Sequence, residues 1–358
     1  MKTNKFFKVP LISVIMPVYN IAHIKRKFEL AVNSIIKQTW QNWELIIVND
    51  GSKDTTKEIA NGLVQKDKRI IVFNKENGGV ESARRLGLKL AKGEFILHLD
   101  QDDYYREDAL ELFYNRITIS NSDIAVANRL RFIFNTHYTF GKTIPSSMRE
   151  NKVIEHDEFM NSYYHSFFGI NDFPVNIWNK MYRKSFLDNI PDPPLTGQII
   201  EDLSYNMHVL PYASKICIIS DYLYYYRWGG FTNRFDKTIL DTALIGYKLK
   251  MAQIEKYKLL NFKHITAVEL LNYLNTYFQS LVLYTNIKKD SFIGECIRVF
   301  SMSEVKQGVD IVKKEDKYHR DYIDAMLSSN YEILYNLDIL VKRKTWEKRL
   351  LKRFLLKF

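Results

Sequence analysis

Three carboxylates fall within four residues at Asp100-Gln101-Asp102-Asp103, directly after the apolar run Phe95–Leu99. Acids so crowded repel one another unless a cation or hydrogen-bond donors neutralise them. A divalent ion held between a carboxylate and a diphosphate is one solution, since magnesium takes one or two protein carboxylates together with phosphate oxygens. A solvated turn capping the helix that begins near Arg106 is the other, because Asp is favoured at helix N-caps. On these four residues alone the two readings stand even. A second acidic pair, Glu201-Asp202, opens the helical stretch Glu201–Leu210 after the loop Pro191–Gln198. A carboxylate there can take the proton of an attacking hydroxyl, and a helix N-terminus stabilises and aims it. A plain N-cap pair is the alternative.

The elements that must position these groups come in a regular order. Leu11–Met16, Glu44–Val48, Arg69–Phe73 and Glu94–Leu99 are short apolar runs of strand type. Helical periodicity occupies Lys27–Lys37, Thr55–Gln65 and Val80–Ala91 between them. Continuous apolar strands separated by helices imply a parallel sheet covered on both faces. Each run ends in polar or glycine residues: Pro17, Asn49-Asp50-Gly51, Asn77-Gly78-Gly79 and the acidic cluster. Ligands bind outside the carboxyl ends of such strands, so the four ends are expected to converge on one site. In that company the metal reading of the acidic cluster is favoured. The alternative for Asn49–Ser52 is a turn starting the next helix, and for Asn77-Gly78-Gly79 backbone freedom whatever is bound.

Beyond residue 123 the pattern changes. Asp123–Ala127 reads as a strand, Arg129–Phe140 as a hairpin, Glu155–Phe168 as a helix, and Asn176–Tyr182 and Ile216–Ser220 as strands. After Asp236 the periodicity is almost wholly helical. We therefore expect an α/β catalytic domain over 1–235, with a nucleotide-binding half at about 10–120 and an acceptor half at about 121–235. A helical region over 236–341 and a basic tail over 342–358 follow.

The segments Ser13–Asn20, Val48–Asp54, Asn77-Gly78-Gly79, Ala83-Arg84, Lys92-Gly93-Glu94 and Leu99–Asp103 together resemble glycosyltransferase family 2, across residues 11–115. The resemblance implies the GT-A fold, a Rossmann-like domain with a mostly parallel central sheet and flanking helices. It also implies an inverting, metal-dependent transferase that uses a nucleotide-sugar, UDP-linked, in building bacterial surface glycans. By position, Pro17, Tyr19 and Asn20 would border the base, and Asp50 would accept from uracil. Asp102 would sit near the ribose and metal, and Asp103 would reach the Mn2+ or Mg2+ ion. Asp100 would hold the loop. Arg84 would approach the nucleotide, although Arg85 stands where the family often has Asn. Ile200–Asn206 resembles the family's second acidic motif, with Ile200 in place of the usual Gly; Asp202 would be the general base and Glu201 its neighbour. Trp178–Arg183 and Leu223–Trp228 resemble further family segments. They place Lys180 by the acceptor or phosphates, Trp178 against a sugar or in the core, and Arg227 by the leaving diphosphate or paired with an acid.

Composition sets the remaining expectations. The 358 residues are 46% hydrophobic and carry a net charge of +11. Eight Lys/Arg against one Glu in Lys342–Phe358 supply +7 of it. As a helix, that tail gathers Trp346, Leu350, Leu351, Phe354 and Phe358 on one side, with Lys348, Arg349, Lys352 and Arg353 mainly opposite. Such a helix suits an anionic membrane surface, or else docks on the protein with its basic face solvated. No nucleic-acid role is expected, because nothing beyond the tail supports one. Cys217 and Cys296 fit no metal spacing and are expected as buried thiols. Met1–Pro10 lacks the apolar core of a signal peptide, and no run approaches the roughly 20 apolar residues of a spanning helix. The expected location is cytoplasmic, on the inner face of the membrane, with a lipid-linked glycan as acceptor and a homo-oligomer open. A dehydrogenase would need G-x-G-x-x-G after the first strand. A nucleotidyltransferase would need a glycine-rich basic loop, which Val18–Lys25 does not supply. A non-catalytic sugar-nucleotide-binding partner would be expected to lose acids that are all retained here.

Overall fold

The computed structural model describes residues 9–133, 139–140, 144–169, 172–196, 200–228, 238–314, 320–339 and 342. The basic tail therefore lies outside the described residues from 343 onward. The chain divides into two compact units, Met1–Gly229 and Gly230–Phe358.

The first unit opens with β1 (Ile12–Val18), α1 (Lys25–Ile36), β2 (Trp43–Asp50), α2 (Thr56–Val64), β3 (Ile70–Lys75), α3 (Val80–Leu90) and β4 (Phe95–His98). The alternation follows from the apolar runs, and each falls within a few residues of its sequence-based position. Every residue of β1, β2 and β4 is buried. β1 pairs in parallel with β2 and β4, and β2 with β3, so all four strands end at one edge. α3 is seated by a glycine: a Cβ at Gly87 would lie 2.4 Å from Cγ2 of Ile15. The helix consequently rests directly on β1, with Arg84 one turn nearer the strand ends. The turn returning to β4 is held by a buried polar set. Gly93 N–H donates to Ser13 Oγ (2.8 Å), Ser13 Oγ donates to Glu44 (2.6 Å), and Lys92 N–H donates to Glu44 (2.7 Å).

The sheet then becomes mixed. β5 (Tyr104–Tyr105), α4 (Ala109–Ile119), β6 (Ile124–Ile133), β7 (Thr139–Phe140), β8 (Lys152–Glu155), α5 (His156–Ser162), β9 (Lys180–Arg183), α6 (Lys184–Leu187), α7 (Glu201–Val209) and β10 (Lys215–Trp228) complete the unit. The ten-stranded order is β3-β2-β1-β4-β9-β6-β10-β5, with β7 on β6 and β8 on β10. β9 runs antiparallel to both β4 and β6, so the parallel character belongs to the first four strands and to the β6–β10 pair. Several sequence expectations shift here. The strand and hairpin expected over 123–140 are one long strand with a short antiparallel return at β7. The helix expected over Glu155–Phe168 is α5 followed by a tighter 3-10 turn, Tyr164–Phe168. The expected strand Asn176–Tyr182 is pared to β9, because residues 174–179 wrap around the Lys180 ammonium instead. β10 runs eight residues past Ser220, and register shifts around Tyr222 bend it, as bulges do.

The second unit consists of α8 (Thr238–Lys256), α9 (Lys263–Tyr284), α10 (Lys289–Phe300), α11 (Ser303–Lys314), α12 (Asp321–Leu327) and helical residues 331–339. α9 is its axis: Ala267, Leu270, Leu271, Leu274, Phe278 and Val282 recur three or four apart and are buried, the period of one helix face. Gly308 lets α11 approach, since a Cβ there would lie 3.0 Å from Leu270 Cδ2. Cys217 and Cys296 are free and buried, one in each unit. Among the described residues no helix is long and apolar enough to cross a membrane.

Asp338 is out of place in this apolar unit. It is 1% exposed, its Oδ2 has no hydrogen-bond partner among the described residues, and burial pushes its carboxyl up to about 7. The folded state thus holds this proton more tightly than the unfolded chain does. Its contribution to stability is present below the unfolded value of about 4 and is lost as pH rises toward 7. Asp338→Asn removes the group that must ionise, and is expected to stabilise the protein by about 3 kcal/mol at pH 8. The gain should shrink steadily as the pH is lowered to 4. Urea unfolding at pH 4.5, 6 and 8 measures this, and a pH-independent difference would exclude the assignment.

Candidate active site

The site grows from the strand ends of the first unit. At the end of β2, Asp50 is only 4% exposed. Its carboxylate accepts from Gly78 N–H (3.0 Å), Gly79 N–H (2.8 Å) and the Lys75 ammonium (2.6 Å). Lys75 lies directly opposite it in the β2–β3 register. The Asn77 side chain donates to the Asp50 carbonyl (2.8 Å), and a Cβ at Gly51, where φ is +67°, would meet Asn77 N at 2.5 Å. The carboxylate expected to meet uracil also organises the glycine loop that opens α3. Sequence reasoning missed Lys75, which lies past the apolar run Arg69–Phe73 and is paired with Asp50 only by the sheet.

At the end of β1, Pro17 is buried opposite Val48, whereas Tyr19 is 42% exposed. Asn20 takes φ +49° and laces this loop to the β2–α2 loop. Its N–H donates to Ser52 Oγ (3.0 Å) and its Oδ1 accepts from Lys53 N–H (2.9 Å). The Tyr19 N–H donates to Gln101 (2.8 Å), which ties the β1 end to the acidic loop. Of the three residues expected at the base, only Tyr19 presents an exposed ring; the other two shape the backbone around it.

The acidic loop is held from β10. The bend in β10 brings Tyr224 and Tyr225 opposite Tyr105 and Tyr104 of β5. The Tyr224 hydroxyl donates to Asp103 Oδ2 (2.9 Å), and Arg227 N–H donates to Asp103 Oδ1 (2.7 Å). Arg227 Nε donates to the Asp102 carbonyl (2.6 Å). Arg227 is thus paired with the acidic loop. Trp178 is 3% exposed and stacks on Tyr224 at 4.3 Å, which makes it core rather than a sugar platform. Asp103 is 2% exposed. Burial first, then the charges of Asp100 and Asp102, push its carboxyl well above the usual range. Burial and Asp100 raise Asp102, against the pull of Arg227 and Lys27. Among the described residues no three acidic, imidazole or thiol groups converge to form a metal site. Asp103 accepts one hydrogen bond on each oxygen and is more deeply buried than Asp102, so Asp102 presents the more accessible carboxylate of the pair. A site with one or two carboxylates, completed by phosphate oxygens, fits this arrangement.

On the other side of the loop lies Arg84, 7% exposed. Its guanidinium bonds Asp100 (2.9 Å) and Asp202 (3.0 Å) and lies 3.6 Å from Glu201. Arg84, expected to approach a nucleotide, is the hub of three carboxylates, drawn from the acidic loop and α7. Asp100 does hold the loop, through this hub and through its N–H to the Tyr224 hydroxyl (3.3 Å). Glu201 and Asp202 sit in the first turn of α7. Burial pushes Glu201 up to about 7, with the neighbouring Asp202 charge adding to it and Arg84 opposing. Asp202 is raised by burial against the pull of Arg84. The structure brings Asp100, Arg84, Glu201 and Asp202 together as one cluster.

Lys180 departs from its expected role. It is fully buried, and its ammonium donates to the carbonyls of Pro174 (2.8 Å) and Asn176 and to Asn179 Oδ1 (3.2 Å). Three donors meet three oxygens, which leaves none for a phosphate. Arg85, the departure from the family pattern, has its own use: it donates to the Pro193 carbonyl (2.6 Å) and lies 3.7 Å from Asp192. It thereby fastens the loop that leads to α7.

Similarity to known proteins covers both the sequence and the fold. Residues 13–190 match the family described as glycosyl transferase family 2. Glycosyltransferase GlyA of Streptococcus pneumoniae serotype 4 is 31% identical over 216 residues, which are 60% of this chain and 30% of GlyA. Glycosyltransferase GlyG of the same organism is 29% identical over 268 residues, 70% of this chain and 86% of GlyG. This chain thus spans less than a third of GlyA and most of GlyG. The crystal structure of S. aureus TarS residues 1–349 matches with a TM-score of 0.60 at 21% identity, covering 93% of this chain and 91% of that one. Structures of the same TarS fragment in complex with UDP and with UDP-GlcNAc match at 0.59 and 0.57. The likeness to TarS establishes the GT-A fold.

The Arg84 hub makes a structural prediction independent of activity. Arg84→Met leaves buried acids without their cation and is expected to destabilise the protein by about 3 kcal/mol. Arg84→Lys, which keeps the charge but loses the fork, should recover only part of that. Urea unfolding of the three proteins measures the order, and equal stabilities would refute the hub.

Proposed function

Because residues 13–190 form a glycosyl transferase family 2 domain, we propose that the protein transfers a sugar, with inversion, from a UDP-sugar to a hydroxyl of a bacterial surface glycan or its lipid-linked precursor. The observation that carries this reading is the pairing of two acidic centres at one sheet edge. One is the loop Asp100–Asp103, and the other is Glu201-Asp202 at a helix N-terminus, with Arg84 between them.

Each centre has a distinct part. Tyr19 offers its exposed ring to the base, on a backbone fixed by Asn20 and Pro17. Asp50 and Lys75 hold Gly78 and Gly79, so that the N-terminus of α3 faces the diphosphate. Asp102 takes the ribose or a divalent ion and Asp103 supports it, while Arg227 lends positive charge to the leaving diphosphate. A divalent ion held there, manganese or magnesium, would supply charge neutralisation to the leaving group. Asp202 acts as general base on the acceptor hydroxyl. Burial raises its proton affinity, and the Arg84 bond to one oxygen fixes its direction. The attacking oxygen forms its bond to the anomeric carbon as the bond to the diphosphate breaks, and Asp202 receives the proton. One displacement inverts the centre and needs no covalent intermediate. Lys180 holds the loop before β9 beside Asp202. The basic tail is assigned to an anionic membrane surface on its sequence pattern.

Calorimetry of UDP with and without manganese, on wild type, Asp102→Ala and Asp103→Ala, tests the donor site. Binding that needs metal and weakens in both variants is expected; folded wild type that ignores UDP in the presence of metal would overturn the reading. For the acceptor side, Asp202→Asn is expected to lower kcat by roughly 10²–10⁴, the range of general-base contributions. Burial and the neighbouring Asp202 charge push Glu201 up to about 7, and its protonation below that value removes a charge beside the base. The rate should therefore rise with pH through about 7, and Glu201→Gln should flatten that limb. A wild-type profile flat from pH 5.5 to 8.5 would exclude this role for Glu201.

A further inference from the structure

No step described so far uses the cleft behind Arg84. It has an empty volume of about 510 Å³, open mouth included, and lies between α3, the loop 192–195 and α7. Leu88, Ile177, Pro193 and Leu195 give it apolar walls, and Tyr205 and the deeply buried His98 lie against them. The loop wall is fastened to α3 twice. Thr196 donates its N–H (2.8 Å) and hydroxyl (2.7 Å) to Glu81, and Arg85 donates to the Pro193 carbonyl.

What sets the cleft apart is a set of unused hydrogen-bonding atoms. His98 is 1% exposed, and neither of its ring nitrogens has a partner among the described residues; the same holds for Arg84 Nε. Both residues line the cleft. Unpaired buried nitrogens are rare in native proteins and point to a missing water, ion or ligand. Burial and the adjacent Arg84 charge keep the His98 imidazole neutral, so it has one donor and one acceptor. The complement is a group that both gives and takes a hydrogen bond, which a hydroxyl does. The carboxylates of Glu81, Asp192 and Glu201 also line the cleft, outnumbering the two arginines and disfavouring a phosphate. Apolar walls with a few convergent polar atoms are the usual make-up of a small-molecule site, and they suit the C–H faces of a sugar ring.

We propose that this cleft is a carbohydrate subsite that seats a neutral sugar ring of the acceptor, with His98 and Arg84 Nε sharing one of its hydroxyls. The proposal rests on the glycosyl-transfer reading and deepens it by naming what lies next to the base. His98 is then a specificity residue, and the Glu81 and Arg85 contacts are positioning contacts for the wall. In the sequence, the only cue was that His98 is the sole polar residue of Phe95–Leu99.

The test uses the full chain labelled with ¹⁵N-histidine. Methyl β-D-glucopyranoside, methyl β-D-galactopyranoside and methyl N-acetyl-β-D-glucosaminide serve as probes, and the His98 signals are assigned by their loss in His98→Leu. At least one glycoside is expected to shift the His98 signals. His98→Leu should weaken that glycoside by roughly tenfold, as loss of a hydrogen bond to a buried site does. Replacing two unpartnered nitrogens by an apolar group leaves this variant foldable. Leu88→Trp, which fills the cleft from its wall, should weaken the glycoside likewise, and UDP affinity should stay within about twofold in both variants. Failure of every glycoside to move the His98 signals, or equal glycoside binding in both variants and wild type, would overturn the subsite. UDP binding without glycoside binding sinks the subsite alone, whereas glycoside binding without UDP binding sinks the transferase reading.

Discussion

The rest of the site depends on one buried cation. A guanidinium stays charged at any working pH, so the 7% exposed Arg84 must carry its counter-charges with it. It draws them from the acidic loop and from the first turn of α7. The two acidic centres are consequently not independent, because the direction of Asp202 and the path of the Asp100–Asp103 loop are set by the same side chain. Arg84 is in turn placed by α3, whose seat on β1 is fixed by the absence of a side chain at Gly87. A packing constraint in the sheet is thereby converted into the geometry of a carboxylate more than one hundred residues away.

A second dependency runs through β10. Past the register shifts near Tyr222 it stays paired with β6 as far as Trp228 and meets β5 on its other side, which brings its end to the acidic loop. That end gives Asp103 a hydroxyl and an N–H. Two hydrogen bonds do not remove the cost of burying a carboxylate beside two others, and burial with the neighbouring charges raises both Asp102 and Asp103. The loop is held in place but left with surplus negative charge. The α7 pair differs: Asp202 has a cation in contact, and its shift reflects burial opposed by that contact. Under the proposed function, the first of these environments suits neutralisation by a cation and the second suits accepting a proton.

The first four strands and three helices were legible because burial on both faces writes continuous apolar runs, and turns write Asn, Asp and Gly. Beyond β4 the sheet turns antiparallel, strands shorten, and the signal fades. β5 is two tyrosines, β8 four residues, and the second half of β10 reads as an aromatic cluster. The acidic residues were legible as chemistry, and their clustering was anticipated. Their partners were not. Lys75 beside Asp50, Tyr224 beside Asp103 and Arg84 beside Asp202 are pairings made by the sheet over 25, 121 and 118 residues. Residue type alone carries no trace of them.

That difference explains why Lys180 changed role on folding while His98 emerged. A charged residue in a motif advertises capacity to bind, but the fold decides whether the capacity is already used. Lys180 has its donors matched by three oxygens, and Asp50 accepts from two glycine N–H groups and an ammonium. Both build the walls of the site, and Lys180 has no donor left to offer a ligand. His98 sits in an apolar strand where its being the one polar residue was the sole cue, and neither ring nitrogen has a partner among the described residues. Unsatisfied hydrogen-bonding capacity, more than residue identity, marks the places where this fold still has something to bind.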